Sequence, residues 1–265
     1  MGNPSTPDPG VREVKSAART IQVLEILAAR GSSAVTIREL CTAIGAPRSS
    51  VYALLKTLSD AGWVRADARR ATYGIGIRAL LAGTTYLDAD PRLQVVRPHL
   101  GLLGRQLGAT VNLGRLDGAD VVYLATWEPP GKERPLPRVG RRLPAHATAL
   151  GQAVLARLPE APALHGFADP LPALTPQTIS TLAGLRAELA AARRRGYARE
   201  VEQNTPGVAC VAVALDCFDS GSDALSVSIP HQEFTAARER DIVEGLLATA
   251  DMTAQVLAGV HAHES

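Results

Sequence analysis

The sequence predicts an α+β protein: an N-terminal winged helix-turn-helix, a linker helix, and a larger body in which helices flank a mostly antiparallel sheet. Three observations lead there. Residues 16–62 hold three helical repeats joined by short connections. A hairpin pattern follows them directly. Charge then divides the chain: residues 11–80 carry 11 Lys/Arg against 5 Asp/Glu, and residues 81–265 carry 17 against 20. A basic head on a mildly acidic body suggests a nucleic-acid-binding part joined to a part with another task.

The first helix is expected over residues 16–30. Ile21, Leu24, Leu27 and Ala28 mark its apolar face, and Gly31 stops it. Thr36 and Glu39 form a capping box for the second helix. Ile37, Leu40, Cys41 and Ile44 follow at helical spacing, and Gly45 ends it. Pro47 suits the first position of the third helix, whose apolar face is Val51, Leu54, Leu55 and Leu58. Residues 62–65 and 71–75 read as two strands around a polar turn at 67–70, a wing. Residues 77–87 read as the linker helix.

The body begins near Asp90 and Pro91. A helix is expected over 93–107, broken at Pro98, then strands at 109–115 and 120–127 and a Pro- and Gly-rich loop at 128–137. Another helix is expected over 146–158, then a Pro-rich loop over 159–176. Thr175 followed by Pro176 reads as the start of a helix running to Gly196. Strands follow at 197–201, 208–217 and 224–229, and an amphipathic helix closes the chain over 234–261.

Composition excludes several classes. Apolar residues make up 46% and charged residues 20%, enough to bury a core, so wholesale disorder is excluded. A net charge of +2 excludes a polybasic coat protein. No apolar run is long enough for a membrane span, and residues 1–10 lack the apolar stretch of a secretory signal, so a cytoplasmic protein is expected. Three cysteines, Cys41, Cys210 and Cys217, are too few and scattered for a disulfide scaffold. Cys210 with His146 or His231 could be imagined as nucleophile and base. The sequence lacks the G-x-S-x-G, H-E-x-x-H, P-loop and G-x-G-x-x-G motifs, so no enzyme is expected, and no metal or cofactor site. A thiol-based redox or metal-responsive regulator using Cys210 and Cys217 is the alternative reading. These two are seven residues apart, so on one regular strand they face opposite sides and need a bulge to pair.

Three groups of segments carry a family resemblance. They are residues 14–20, 49–52 and 62–64; residues 140–153, GRRLPAHATALGQA; and residues 195–198, 207–212 and 225–230, RGYA, GVACVA and LSVSIP. Their order and spacing, from about residue 14 to 258, resemble the IclR family of bacterial transcriptional regulators. The resemblance implies a DNA-binding domain at 14–76, a linker helix at 77–89, and a GAF-like effector-binding and oligomerisation domain at 90–265. Residues 1–13 remain as a disordered tail. It also implies operator DNA as a partner and a homodimer or dimer of dimers, acting as repressor or activator. The effector it implies is a small organic or aromatic acid.

On the third helix, Ser49, Tyr52, Ala53 and Lys56 lie opposite the apolar face, with Arg48 at the N-terminal turn. The start of such a helix meets base edges in the major groove. Arg48 suits a guanine edge, and Ser49 and Ser50 suit bases or phosphates. Lys56, further along, suits a phosphate. Arg69 and Arg70 on the wing suit the backbone or minor groove. Thr36 and Arg38 open the second helix, where N–H groups favour a phosphate. The resemblance departs at Ala53, where family members often carry Arg, so a family operator sequence is not carried over.

By position, the resemblance implies an effector cleft at His146, Ala149, Leu150, Glu200, Val208, Cys210, Ser226 and Ser228. Ser226 and Ser228 are two apart on a strand and share one face. Leu150 and Val208 favour a partly apolar ligand. An ionised Glu200 would repel a carboxylate.

Overall fold

The computed structural model describes residues 14–31, 33–131, 139–215 and 222–263, with side chains through residue 258. The expected tail at 1–13, most of the expected loop at 128–137, and Cys217 lie outside the described residues. The chain divides into two compact units, one ending at Ala89 and the other beginning at Asp90.

In the first unit, helices α1 (Lys15–Ala29), α2 (Ile37–Ile44), α3 (Arg48–Asp60) and α4 (Ile77–Asp88) accompany three short strands. These are β1 (Val35–Thr36), β2 (Val64–Asp67) and β3 (Thr72–Ile75), an antiparallel sheet in the order β1-β3-β2. The capping box forms as expected at the start of α2. Pro47 stands one position earlier than expected: it is the N-cap of α3, and its carbonyl accepts from Val51 N–H. The core is Val23, Leu27, Val35, Leu40, Val51, Leu55, Leu58 and Val64. Each such side chain, fully buried, contributes about 1.5–3 kcal/mol against chain entropy. On α1 the expected face is corrected: Val23 and Leu27 are buried, whereas Ile21 and Ala28 are exposed. Residues 21–28 carry two overlapping apolar stripes, and packing on the strands selects one.

In the second unit, α5 (Pro91–Leu107) leads into β4 (Thr110–Asp117) and β5 (Asp120–Trp127). After β6 (Arg142–Pro144), a 3₁₀ turn at Ala145–Ala147 precedes α6 (Ala149–Arg157) and the short α7 (Glu160–Leu164). Then come α8 (Leu182–Arg195), β7 (Ala198–Val201), β8 (Val208–Ala214), β9 (Asp223–Pro230) and α9 (Ala236–His263). The six strands pair antiparallel in the order β6-β5-β4-β9-β8-β7. α6 packs on one face of the sheet, backed by α8, and α5 and α9 pack on the other. The central strand β9 is therefore buried on both faces.

Several local expectations are corrected. Pro98 does not break α5. It sits on the exposed side, and the buried stripe Leu93, Val96, Leu100, Leu103 and Leu107 runs past it. That packing outweighs the ~3 kcal/mol penalty of an interior proline. The helix expected from Thr175 begins at Leu182, capped by Thr181, whose Oγ1 accepts from Gly184 N–H at 3.1 Å. The hydroxyl- and β-branch-rich run Thr178, Ile179, Ser180 and Thr181 disfavours helix. Thr175 instead donates its hydroxyl to Glu202 O at 2.6 Å. His146 lies in the 3₁₀ turn, and Thr148, extended at φ −126°, caps α6 in its place.

Candidate functional site

In the first unit the exposed side of α3 carries Arg48, Ser49, Tyr52 and Lys56, with Ser50 half-buried. Lys56 Nζ reaches Asp60 Oδ2 at 3.0 Å, and that hydrogen bond holds its ammonium more firmly protonated than usual. At the wing tip Asp67 Oδ1 accepts the backbone N–H of Arg69 at 2.9 Å and of Arg70 at 3.2 Å. The turn thereby fixes the backbone from which both guanidiniums project. Ala71 closes it with φ 51°, a left-handed conformation. Thr36 does not fit its expected phosphate contact. Its N–H and hydroxyl both donate to Glu39 Oε2, at 2.8 and 2.7 Å, so Arg38 alone of that pair is left facing outward.

The second unit holds a cavity of about 140 Å³. The start of α6 supplies Thr148, Ala149 and Leu150, and β7, β8 and β9 supply Glu200, Val208, Cys210, Ser226 and Ser228. Tyr123, Arg141 and Leu143 complete one side, and Asn204 and Thr205 the other. All the expected effector residues except His146 meet here. His146 lies outside, with Nε2 3.0 Å from Pro172 O and its ring edge-on to Phe167.

Thr148 shapes the cavity floor. Its Oγ1 accepts from Gly151 N–H at 3.1 Å, fixing the first turn of α6. Gly151 is required because a Cβ there would lie 2.3 Å from the Ala145 backbone. The helix N-terminus favours negative charge at this end.

Along the strands a hydrogen-bonded chain lines the wall. Asn112 on β4, wholly buried, donates through Nδ2 to Ser226 Oγ at 3.4 Å and Ser228 Oγ at 3.3 Å. Thr126 Oγ1 donates to Asn112 Oδ1 at 3.1 Å, which turns the amide nitrogen toward the serines. Cys210 Sγ lies 3.2 Å from Ser228 Oγ. With their oxygens accepting from Asn112, the serines present their hydrogens as donors. Glu200 is 3% exposed, and burial pushes its carboxyl from 4.5 up to about 7, against the opposing hydrogen bonds of Cys210, Gln203 N–H and Asn204 N–H. The cavity thus offers donors, one cation in Arg141, and a carboxyl that is half protonated near neutral pH.

A second cleft, of about 160 Å³, lies between α6, α8, β8 and α9. Alanines make up half of its lining, beside Arg157, Tyr197 and Asp251, and its Arg193 already bonds Ala156 O at 2.6 Å and Leu158 O at 2.7 Å. Two serine hydroxyls, a thiol and a buried carboxyl converge in the first cavity.

Comparison with known sequences decides the family. The family described as bacterial transcriptional regulator IclR C-terminal matches residues 84–254, and the IclR helix-turn-helix domain matches residues 16–68. This chain belongs to the IclR family.

It is similar to the HTH-type transcriptional regulator XynR of Escherichia coli, at 32% identity over 205 residues, 76% of this chain and 80% of that one. It is 31% identical to the transcriptional repressor IclR of the same organism over 238 residues, 87% of this chain and 85% of the other. Among solved structures, an IclR homologue from Microbacterium hydrocarbonoxydans complexed with 4-hydroxybenzoate aligns with a TM-score of 0.72 at 25% identity, covering 92% of this chain and 99% of that one. An IclR-family regulator is a DNA-binding transcription factor with an effector domain, so the first unit is the DNA-binding head and the second the effector domain. These relatives are transcriptional regulators. Among the described residues no helix is long and apolar enough to cross a membrane.

Sequence reasoning missed Asn112, Thr126, Tyr123 and Thr148. An Asn amid the apolar run of β4 was the one available signal. It also missed the ion cluster at the entrance to the effector domain. Arg115 there bonds Asp223 through two nitrogens at 2.6 Å each and Asp90 at 2.6 Å, with Arg92 3.9 Å from Asp223. Asp90 also caps α5, so the cluster ties the first turn of that helix to β4 and β9.

Proposed function

We propose that this regulator reads operator DNA through Arg48, Ser49, Ser50 and Tyr52 on α3, with Lys56, Arg69, Arg70 and Arg38 on phosphates. A small, partly apolar organic acid bound in the cavity then changes operator affinity. Two copies of the chain act together on paired half-sites. Ile77, Leu80, Leu81 and Tyr86 on α4, all more than half exposed, support that self-association.

The observation that carries the ligand reading is the cavity itself. Two serine donors, Arg141 and the start of α6 suit a carboxylate, and Leu143, Leu150 and Val208 suit an apolar remainder. Its volume fits one ring, since an apolar cavity of about 150 Å³ takes up benzene. The homologue complexed with 4-hydroxybenzoate binds an acid of that class. Coupling requires the acid to bind with different affinity to the two arrangements of the heads.

The test is fluorescence anisotropy on the DNA upstream of the protein's own gene, against a random competitor, at two salt concentrations. Specific binding with a steep salt slope, shifted by benzoate or 4-hydroxybenzoate, is expected. Absence of any preference over random DNA across the genome's bound fragments would overturn the operator reading. Acids that bind without moving DNA affinity would overturn the coupling.

A further inference from the structure

Resting on the reading of the cavity as an organic-acid site, we infer that the ligand anion enters together with one proton, held between its carboxylate and Glu200. The geometry carries this. Glu200 is buried on β7, in register with Cys210, and faces the cavity. Among the described residues no basic side chain pairs with it, and its partners are the Cys210 thiol and the N–H groups of Gln203 and Asn204.

The surrounding titratable groups do not supply a compensating contact. On the loop after β7, Glu202 adds negative charge, with His231 Nδ1 3.3 Å from its carboxylate. Arg199, on the same strand, turns away to Glu239 at 3.0 Å. β8 brings Cys210 and β5 brings Tyr123, and the start of α6 that lines the cavity brings no charged side chain. Arg141 is the single cation of the cavity wall, and one cation cannot neutralise both an ionised Glu200 and a ligand carboxylate.

Two carboxylates in one small cavity repel, and the pair retains a proton. With that proton, repulsion becomes a short charge-assisted O–H···O⁻ bond. Cys210 and the N–H groups of Gln203 (2.9 Å to Oε2) and Asn204 use three of the carboxylate's roughly four lone-pair sites, which leaves one for the shared proton. One proton is taken from solvent, no covalent bond changes, and the net charge entering the cavity is zero. Burial has already raised Glu200 to about 7, so the proton is available near neutral pH. The Ser226 and Ser228 donors then serve the ligand's remaining lone pairs.

The test is isothermal titration calorimetry of benzoate and 4-hydroxybenzoate into the full chain, in buffers of different ionisation enthalpy. At about pH 8.5 uptake of nearly one proton per ligand is expected, falling toward zero at about pH 5.5, where free Glu200 is already protonated. Affinity is expected to fall about tenfold per pH unit above about pH 7. Glu200→Gln is expected to abolish the uptake and flatten the pH dependence. Binding without proton uptake at either pH, or uptake that persists in Glu200→Gln, overturns the inference and leaves the organic-acid reading standing. Failure of both acids to bind the folded protein at either pH overturns that reading and the inference with it. Should Glu200→Gln not fold, the wild-type proton count alone decides.

Discussion

On the DNA-binding head, Lys56 and Asp60 meet at 3.0 Å with both side chains more than 60% exposed. In the effector domain, Arg115 meets Asp223 and Asp90 at 2.6 Å, with those carboxylates 0% and 6% exposed. The distances are similar and the consequences are not. Water screens the first pair, so it adds little to stability and its lysine remains exposed to solvent. The second group has no water to fall back on, so each member depends on the others. The head keeps its charges outside for a partner, and the effector domain folds them inside.

The largest expected effect breaks the buried side of this comparison. Arg115→Met leaves Asp90 and Asp223 without their common partner and should lower unfolding free energy by about 3–5 kcal/mol in urea titration. Lys56→Met should leave it essentially unchanged in the same experiment. Equal effects would erase the distinction.

Glu200→Gln sharpens it with a sign. Glu200 is raised from 4.5 to about 7 in the folded protein, so the folded state binds more protons than the unfolded one between those values. Its favourable contribution is present below about pH 4.5 and is lost as pH rises through about 7. The ionised group therefore destabilises the fold by about 3 kcal/mol above about pH 7, which Gln removes. The variant should match wild type near pH 4.5 and exceed it at pH 8 in thermal melts.

On the head, Arg48→Ala should weaken operator binding by about 1–3 kcal/mol and relax preference at one base position. Arg69→Ala should weaken all sequences alike and reduce the salt slope by about one. Anisotropy on operator and random duplexes separates the two. The smallest effect concerns Ala71, at φ 51°. Ala71→Gly relieves that backbone and should stabilise the head by about 1 kcal/mol or less in thermal melts, with DNA affinity unchanged.

What was legible in the sequence was local. The capping box of Thr36 and Glu39, the repeats of α2 and α3, and the wing all depend on residues a few positions apart, where spacing is the geometry. The exposed residues of α3 followed, because they are what remains once the apolar stripe is placed. Ser226 and Ser228 share a face for the same reason, set by the period of a strand. Most of the cavity wall was reached through family resemblance, which carries tertiary information that spacing does not.

Only the tertiary structure decided which of two apolar stripes on α1 is buried, and that Pro98 continues α5. It alone decided that Thr175 bonds the loop after β7 while Thr181 opens α8. It alone brought Asn112 to serines 114 and 116 residues away. It also left His146 on Pro172, outside the cavity. The physical reason is common to all of these. Sequence determines what a group can donate, accept or bury. Whether it is desolvated, and which distant partner meets it, are properties of the packed chain. Glu200 shows both: its carboxyl is written in the sequence, and its proton near neutral pH is a consequence of burial.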